Sequence, residues 1–234
     1  GYEWTARSPV GGHHNVFFRT PENRTRVPMQ ETLDLANLYA GLDALYESDE
    51  VLVIPHAHQA GDWTRSSPGV ERLTEITSSH GTFEHFGNNY VRNGFEVGFI
   101  GSSDNHEGHP GWTGIQGRQL GGLAAAWATE NSADAIFESL RGRHTFATTG
   151  ERIIVDVSLN GGKMGQRLPD AKKRSIEGRV AGTAPIDRID IVKNGETVQS
   201  FQYQGKAIDS LESVQVLFES STNTAGHFNP RGAR

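Results

Sequence analysis

Four consecutive apolar residues, Val51-Leu52-Val53-Ile54, followed at once by Pro55-His56, constrain this chain more than any other stretch. A strand with one wet face alternates apolar and polar residues. An unbroken apolar run is instead what a strand buried on both faces requires, and that is the habit of parallel sheets covered by helices. Proline cannot donate to the ladder, so it marks the end of the run. Ahead of it, over 32–46, Leu35, Leu38, Leu42 and Leu45 recur at three- and four-residue steps, which predicts a helix with one apolar face. Val16-Phe17-Phe18, 73–76 and 97–100 read as further short strands, the last closed by Gly101. Residues 132–141 read as a helix stopped by Gly142, and 122–128 are ambiguous between helix and strand. Strand, loop and helix in repetition imply βαβ units and a parallel sheet.

The pattern changes at Glu151. Ile153, Val155, Val157 and Leu159 alternate with other residues and lead into Asn160-Gly161, a strong hairpin signal. Ile189 and Ile191 alternate before a second such turn at Asn194-Gly195, and Val214, Val216 and Phe218 alternate again. Two regions follow: an α/β region over 1–150 and a small antiparallel β domain over 151–234.

Composition narrows the chemistry. The 234 residues contain no cysteine, which excludes disulfides, thiolate nucleophiles and cysteine-held zinc or iron–sulfur centres. A formal charge of −6 argues against general affinity for nucleic acid, which needs a cationic surface to displace counterions. No apolar run approaches the roughly 20 residues of a membrane span. Gly1 is not an initiator methionine, so the sequence reads as part of a longer chain and its targeting is not legible. The informative excess is histidine: of ten, all but His144 and His227 fall between His13 and His109.

These histidines follow predicted strands, where α/β folds collect their active residues. Gly101-Ser102-Ser103-Asp104-Asn105-His106 carries an Asp and a His two apart, a carboxylate oxygen and an imidazole nitrogen that suit zinc, manganese or iron. The same residues also read as a turn with an Asx hydrogen bond. In Pro55-His56-Ala57-His58 two imidazoles point the same way if the segment is extended; they read equally as a solvated loop pair. Glu3 precedes His13-His14 and could bridge metals, or be a surface glutamate. His80, in Glu75-Ile76-Thr77-Ser78-Ser79-His80-Gly81, could orient a substrate or serve as general acid, or simply precede a glycine turn. Arginines and hydroxyls in 141–150 could bind an anion, but capping a helix and shaping the domain junction is the better reading. For Trp4, Trp63, Trp112 and Trp127, core packing is a simpler account than a sugar-stacking surface. Neither a phosphate-binding Gly-rich loop nor a Gly-x-Ser-x-Gly elbow is present.

Taken in order, Gly-Tyr-Glu-Trp, His-Asn-Val, Ile-Pro-His, Glu-Ile-x-Ser-x-His-Gly, Gly-Phe-Ile-Gly-Ser-Ser-Asp-x-His and Arg-x-Thr-x-Ala-Thr-Thr-Gly resemble the DUF3604 family over 1–195. That family is similar to the PHP (polymerase and histidinol phosphatase) superfamily. The resemblance implies a partial PHP-type distorted (β/α)7 barrel followed by the β domain. It implies Glu3, His14, His56, Asp104 and His106 as metal ligands, with two or three divalent ions (zinc, manganese or iron) in a complete barrel. The His-x-His that opens the superfamily's ligand series has no counterpart before Glu3. The expected activity is metal-dependent hydrolysis of a small molecule, a phosphate ester first. His58 and His80 are the candidates for protonating the leaving group or positioning substrate. Two alternatives stay open: a non-catalytic binding module built on an incomplete barrel, and a hydrolase of a non-phosphate ester, amide or glycan.

Overall fold

The computed structural model describes residues 1–6, 12–22, 24–28, 34–56, 64–106, 108 and 121–203. The predicted strands at Val214, Val216 and Phe218, and the candidates His58, Trp63 and Trp112, lie outside them.

The chain opens with an antiparallel pair, β1 (Tyr2–Thr5) and β2 (His13–Phe18). Helix α1 (Leu35–Leu45) follows, one to three residues shorter at each end than its leucine pattern predicts. The Asp34 carboxylate caps it, accepting from the Asn37 backbone N–H at 3.2 Å and satisfying one of the donors that a helix start leaves open. Strand β3 (Val51–Pro55) then pairs with β2. Its apolar run is buried throughout, as expected, but its orientation is not the expected one: it is antiparallel to β2. Its parallel contact is a single bridge, Val53 with Glu71, leading toward β4 (Leu73–Ser78). An apolar run reports burial on both faces, and a central strand of either direction supplies that.

The two faces of β3 have different partners. Val51 and Val53, together with Trp4 and Val16, pack against Leu35, Leu38 and Leu42 of α1. Leu52 and Ile54, on the opposite face, pack with Leu73, Ile100 and Phe137. From β4 the chain turns through β5 (Gly81–Thr82) into α2 (Glu84–Arg92) and returns as β6 (Gly98–Gly101), parallel to β4. This is a βαβ unit. The register of β4 against β6 shifts between Glu75 and Thr77, so one extra residue of β4 stands opposite the ladder. Such bulges occur where a strand must re-aim its side chains. The ambiguous stretch 122–128 is a strand, β7 (Leu123–Ala126), followed by α3 (Ala133–Arg141), capped by the Ser132 hydroxyl, and β8 (Thr145–Thr148), antiparallel to β7.

Arg141 and Arg143 tie backbone segments together. The Arg141 guanidinium donates to the backbone carbonyls of Val51 at 3.1 Å and of Ser48. Arg143 donates to the Gly165 carbonyl at 2.9 Å, and the Trp127 indole N–H to that of Val155 at 3.1 Å. The latter two bonds reach the stretch in which β9 (Ile154–Leu159) lies between β10 (Gly162–Lys163) and β11 (Ile176–Ala181), and β12 (Arg188–Lys193) pairs with β13 (Glu196–Gln202). Both Asn-Gly turns are present. φ is positive at each central residue (49° and 79° at Asn160-Gly161, 54° and 80° at Asn194-Gly195), as a two-residue turn matched to strand twist requires. The molecule is therefore mixed α/β with three helices and several small open sheets, and no barrel closure is seen among the described residues.

One close approach sets the floor beneath the histidine-rich end. A Cβ on Gly122 would stand 2.6 Å from the Thr77 carbonyl oxygen and 3.0 Å from the Ser102 nitrogen. Gly122→Ala should therefore cost about 1–3 kcal/mol, as overpacking against backbone does. Urea denaturation checks it; an unchanged midpoint would contradict this packing.

Candidate functional site

Strand parity decides which side chains can meet. Residues directly opposite in an antiparallel pair share a face, and neighbours along a strand alternate. Glu3 pairs with Asn15, Thr5 with His13, and Asn15 with Ile54. Trp4 pairs with His14, His14 with Pro55, and Val16 with Val53. Glu3, Thr5, His13 and Asn15 therefore line the face that carries Ile54, whereas His14 lies with Trp4 and Val16 on the face toward α1.

On the first face the contacts are polar. His13 Nδ1 stands 3.2 Å from a Glu3 carboxylate oxygen and 2.7 Å from the Thr5 hydroxyl. His56, 4% exposed, lies at the end of β3 with its ring centroid 6.1 Å from that of His13. The Asn15 side-chain amide nitrogen stands 2.8 Å from His56 Nε2, with the other Glu3 oxygen 3.9 Å away. Across the ring, Nδ1 faces Glu75 Oε1 at 3.6 Å and Asp104 Oδ2 at 3.7 Å. Asp104 is also 3.1 Å from His80 Nε2. Its φ of +46° is a left-handed conformation that Asp and Asn adopt more readily than other non-glycine residues. Thus β1, β2, the end of β3, β4 and the loops after β4 and β6 deliver Glu3, His13, His56, Glu75, His80 and Asp104 to one connected cluster.

Burial governs its protonation. His56 is held below the usual imidazole range chiefly by desolvation; Asp104 and Glu3 pull the other way, and His13 and His80 add to the lowering. His14 is wholly buried, and burial pushes it down to about 3; the backbone at Gly12 opposes this, and His56 and His13 add slightly. The ring of His14 stands edge-on to Trp4 with centroids 6.2 Å apart. His106 is exposed and makes no ion pair with the cluster among the described residues.

Of the sequence candidates, then, Glu3, His56, His80 and Asp104 come together. His14 points to the other face and His106 stands apart. Two members escape sequence reasoning. His13 is distinguishable from His14 only by the strand's phase. Glu75 looks like a solvent-facing residue of a short strand and is 0% exposed.

The donors are imidazoles and carboxylates, the set that takes zinc, manganese or iron. Their separations of 3.1–3.9 Å resemble those between two ligands that share a cation at about 2.1 Å. The chemistry fits a divalent cation. No three His, Asp or Glu among the described residues already converge at coordination distance, so the ligand sphere is not preassembled there.

Comparison with known proteins meets this region of the chain at its C-terminal side. Residues 112–167 match DUF3604, a protein family of unknown function. That segment takes in β7, α3, β8, β9 and β10. An uncharacterized protein of Chlamydia muridarum is similar, 41% identical over 90 residues, which are 36% of this chain and 14% of that protein. Uncharacterized proteins of Chlamydia trachomatis (39% over 90 residues, with the same shares) and Chlamydia pneumoniae (35% over 86 residues) are similar too. The chain thus covers 14% of the length of the curated relatives it matches. No solved structure matches.

Proposed function

We propose that this chain carries part of the active centre of a PHP-like, metal-dependent hydrolase acting on a small molecule, with phosphate esters the first substrate class. The observation that carries the reading is the cluster itself: acidic and imidazole side chains from separate elements gather at the C-terminal ends of β3 and β6. Glu3, His56 and Asp104 are the proposed ligands, with His106 completing the Asp-x-His pair. His13 takes the role that the resemblance gives to His14, because it shares a face with Glu3. A bound cation would supply a water that ionises near neutral pH and would neutralise charge on phosphoryl oxygens.

The chain's own groups do the rest. Asp104 orients His80 through Nε2, leaving Nδ1 of that partly exposed ring to take a proton from the attacking water and pass it to the leaving group. His58, the other candidate for this step, lies outside the described residues. The rival reading is a binding module that keeps the shape without the metal. Metal content by mass spectrometry separates the two. The expected result is at least one equivalent of zinc, manganese or iron, lost in an Asp104→Ala/His106→Ala double variant. No metal in either protein after reconstitution would leave the binding module. Phosphate mono- and diesters assayed against carboxyl esters then define the substrate class.

A further inference from the structure

We infer that Glu75 is a positioning residue that sets the tautomer and the orientation of His56. It is a carboxylate with no exposed surface, and burying a charge is costly unless something in the structure uses it. One oxygen, Oε2, accepts from the Ser102 hydroxyl at 2.5 Å. The Ser102 backbone N–H is in turn bonded to the Thr77 carbonyl at 3.0 Å, so the carboxylate is anchored to both β4 and the loop after β6. The other oxygen, Oε1, is aimed at His56 Nδ1, 3.6 Å away.

The opposite side of the imidazole completes the argument. The Asn15 amide nitrogen lies 2.8 Å from Nε2, a contact that the Nδ1–H tautomer, with its proton toward Glu75, turns into a hydrogen bond donated to Nε2. Asp104 is nearly as close to Nδ1, but its Oδ2 stands nearer to His80 and it is partly exposed. Glu75 is the fully buried member of the pair, with its second oxygen held by the Ser102 hydroxyl. In that tautomer Nε2, beside the Asn15 amide and 3.9 Å from a Glu3 oxygen, carries the lone pair. Histidines that hold metals commonly present one nitrogen to the ion and donate the other N–H to a carboxylate or carbonyl. The consequence for metal rests on the hydrolase reading; the role in setting the ring does not.

The test is ring 15N NMR on the whole chain with labelled histidine, His56 being assigned by its loss in His56→Asn. The expected wild-type ring is the Nδ1–H tautomer. Glu75→Leu, which keeps bulk and removes the acceptor, should shift the ring toward a mixture of tautomers, with Glu75→Gln between the two. Chelator competition should show metal affinity about 10–100-fold weaker in Glu75→Leu. An Nε2–H tautomer in the wild type, or an unchanged tautomer in Glu75→Leu, would overturn the inference. If Glu75→Leu does not fold, Glu75→Gln carries the test, and a ring tautomer unchanged from the wild type would overturn the inference. A shifted tautomer with no metal bound by any form would keep the positioning role and remove the hydrolase reading.

Discussion

Asp104→Asn should lower metal affinity by at least about 100-fold while leaving the fold intact. Partners one shell out from a metal are worth about 10–100-fold, and a residue donating directly should exceed that. Asparagine suits the test because it adopts the left-handed backbone required at φ +46° as readily as aspartate does, so the substitution removes charge without adding strain. It also removes the charge beside His80 Nε2, so hydrolysis should fall further than metal occupancy alone explains. Chelator competition and a denaturation curve in chelator are the two measurements. Wild-type affinity in the variant would remove Asp104 from the ligand set, and a large loss of stability would mean that its charge serves the fold.

The second large effect is on stability against pH, through His14. Its folded value of about 3 lies below the ordinary 6.5, because the charged ring cannot be hydrated where it sits. Below 6.5 the unfolded chain takes up a proton that the folded chain refuses, so stability is full above that value and is lost as pH falls toward 3. At pH 5 the loss from this residue should be about 2 kcal/mol relative to pH 7.5. His56 and His85, both lowered mainly by burial, act in the same direction. His14→Phe, measured by urea denaturation in chelator at both pH values, should lose less stability on acidification than the wild type. An equal loss would show that the ring is not held neutral by the fold.

Much of this architecture is legible in the sequence, for identifiable reasons. The leucine spacing gives α1, because period and burial agree, and Ser132 and Gly142 bracket α3. The two Asn-Gly turns give both hairpins, because few other pairs tolerate two positive φ values. Helix α2 is not legible in the same way. Its run, Glu-His-Phe-Gly-Asn-Asn-Tyr-Val-Arg, buries little beyond Phe86 and Tyr90, one turn apart, and its glycine and asparagines favour turns. The direction of β3 is not written in its apolar run either. In the site, His56, His80 and Asp104 are legible because they follow strand ends, and Glu3 because it stands in the Gly-Tyr-Glu-Trp motif. Glu75 is not, although it follows Leu73 by two and so shares that residue's inward face. A charged residue inside a strand reads as solvent-facing until its neighbours are known.

The doublet His13-His14 has a bearing on how the strand finds its place during folding. If β2 slipped by one residue against β1 and β3, every side chain would change faces, yet a histidine would still stand on each. The two rings therefore carry no information that distinguishes the right alignment from the wrong one. That discrimination falls to the next two residues. In the slipped state Val16 would be lifted out of its apolar layer beneath α1, and Asn15 would be driven into that layer, away from His56. The penalty for misalignment thus comes from a valine and an asparagine, while one histidine faces the polar cluster in either arrangement.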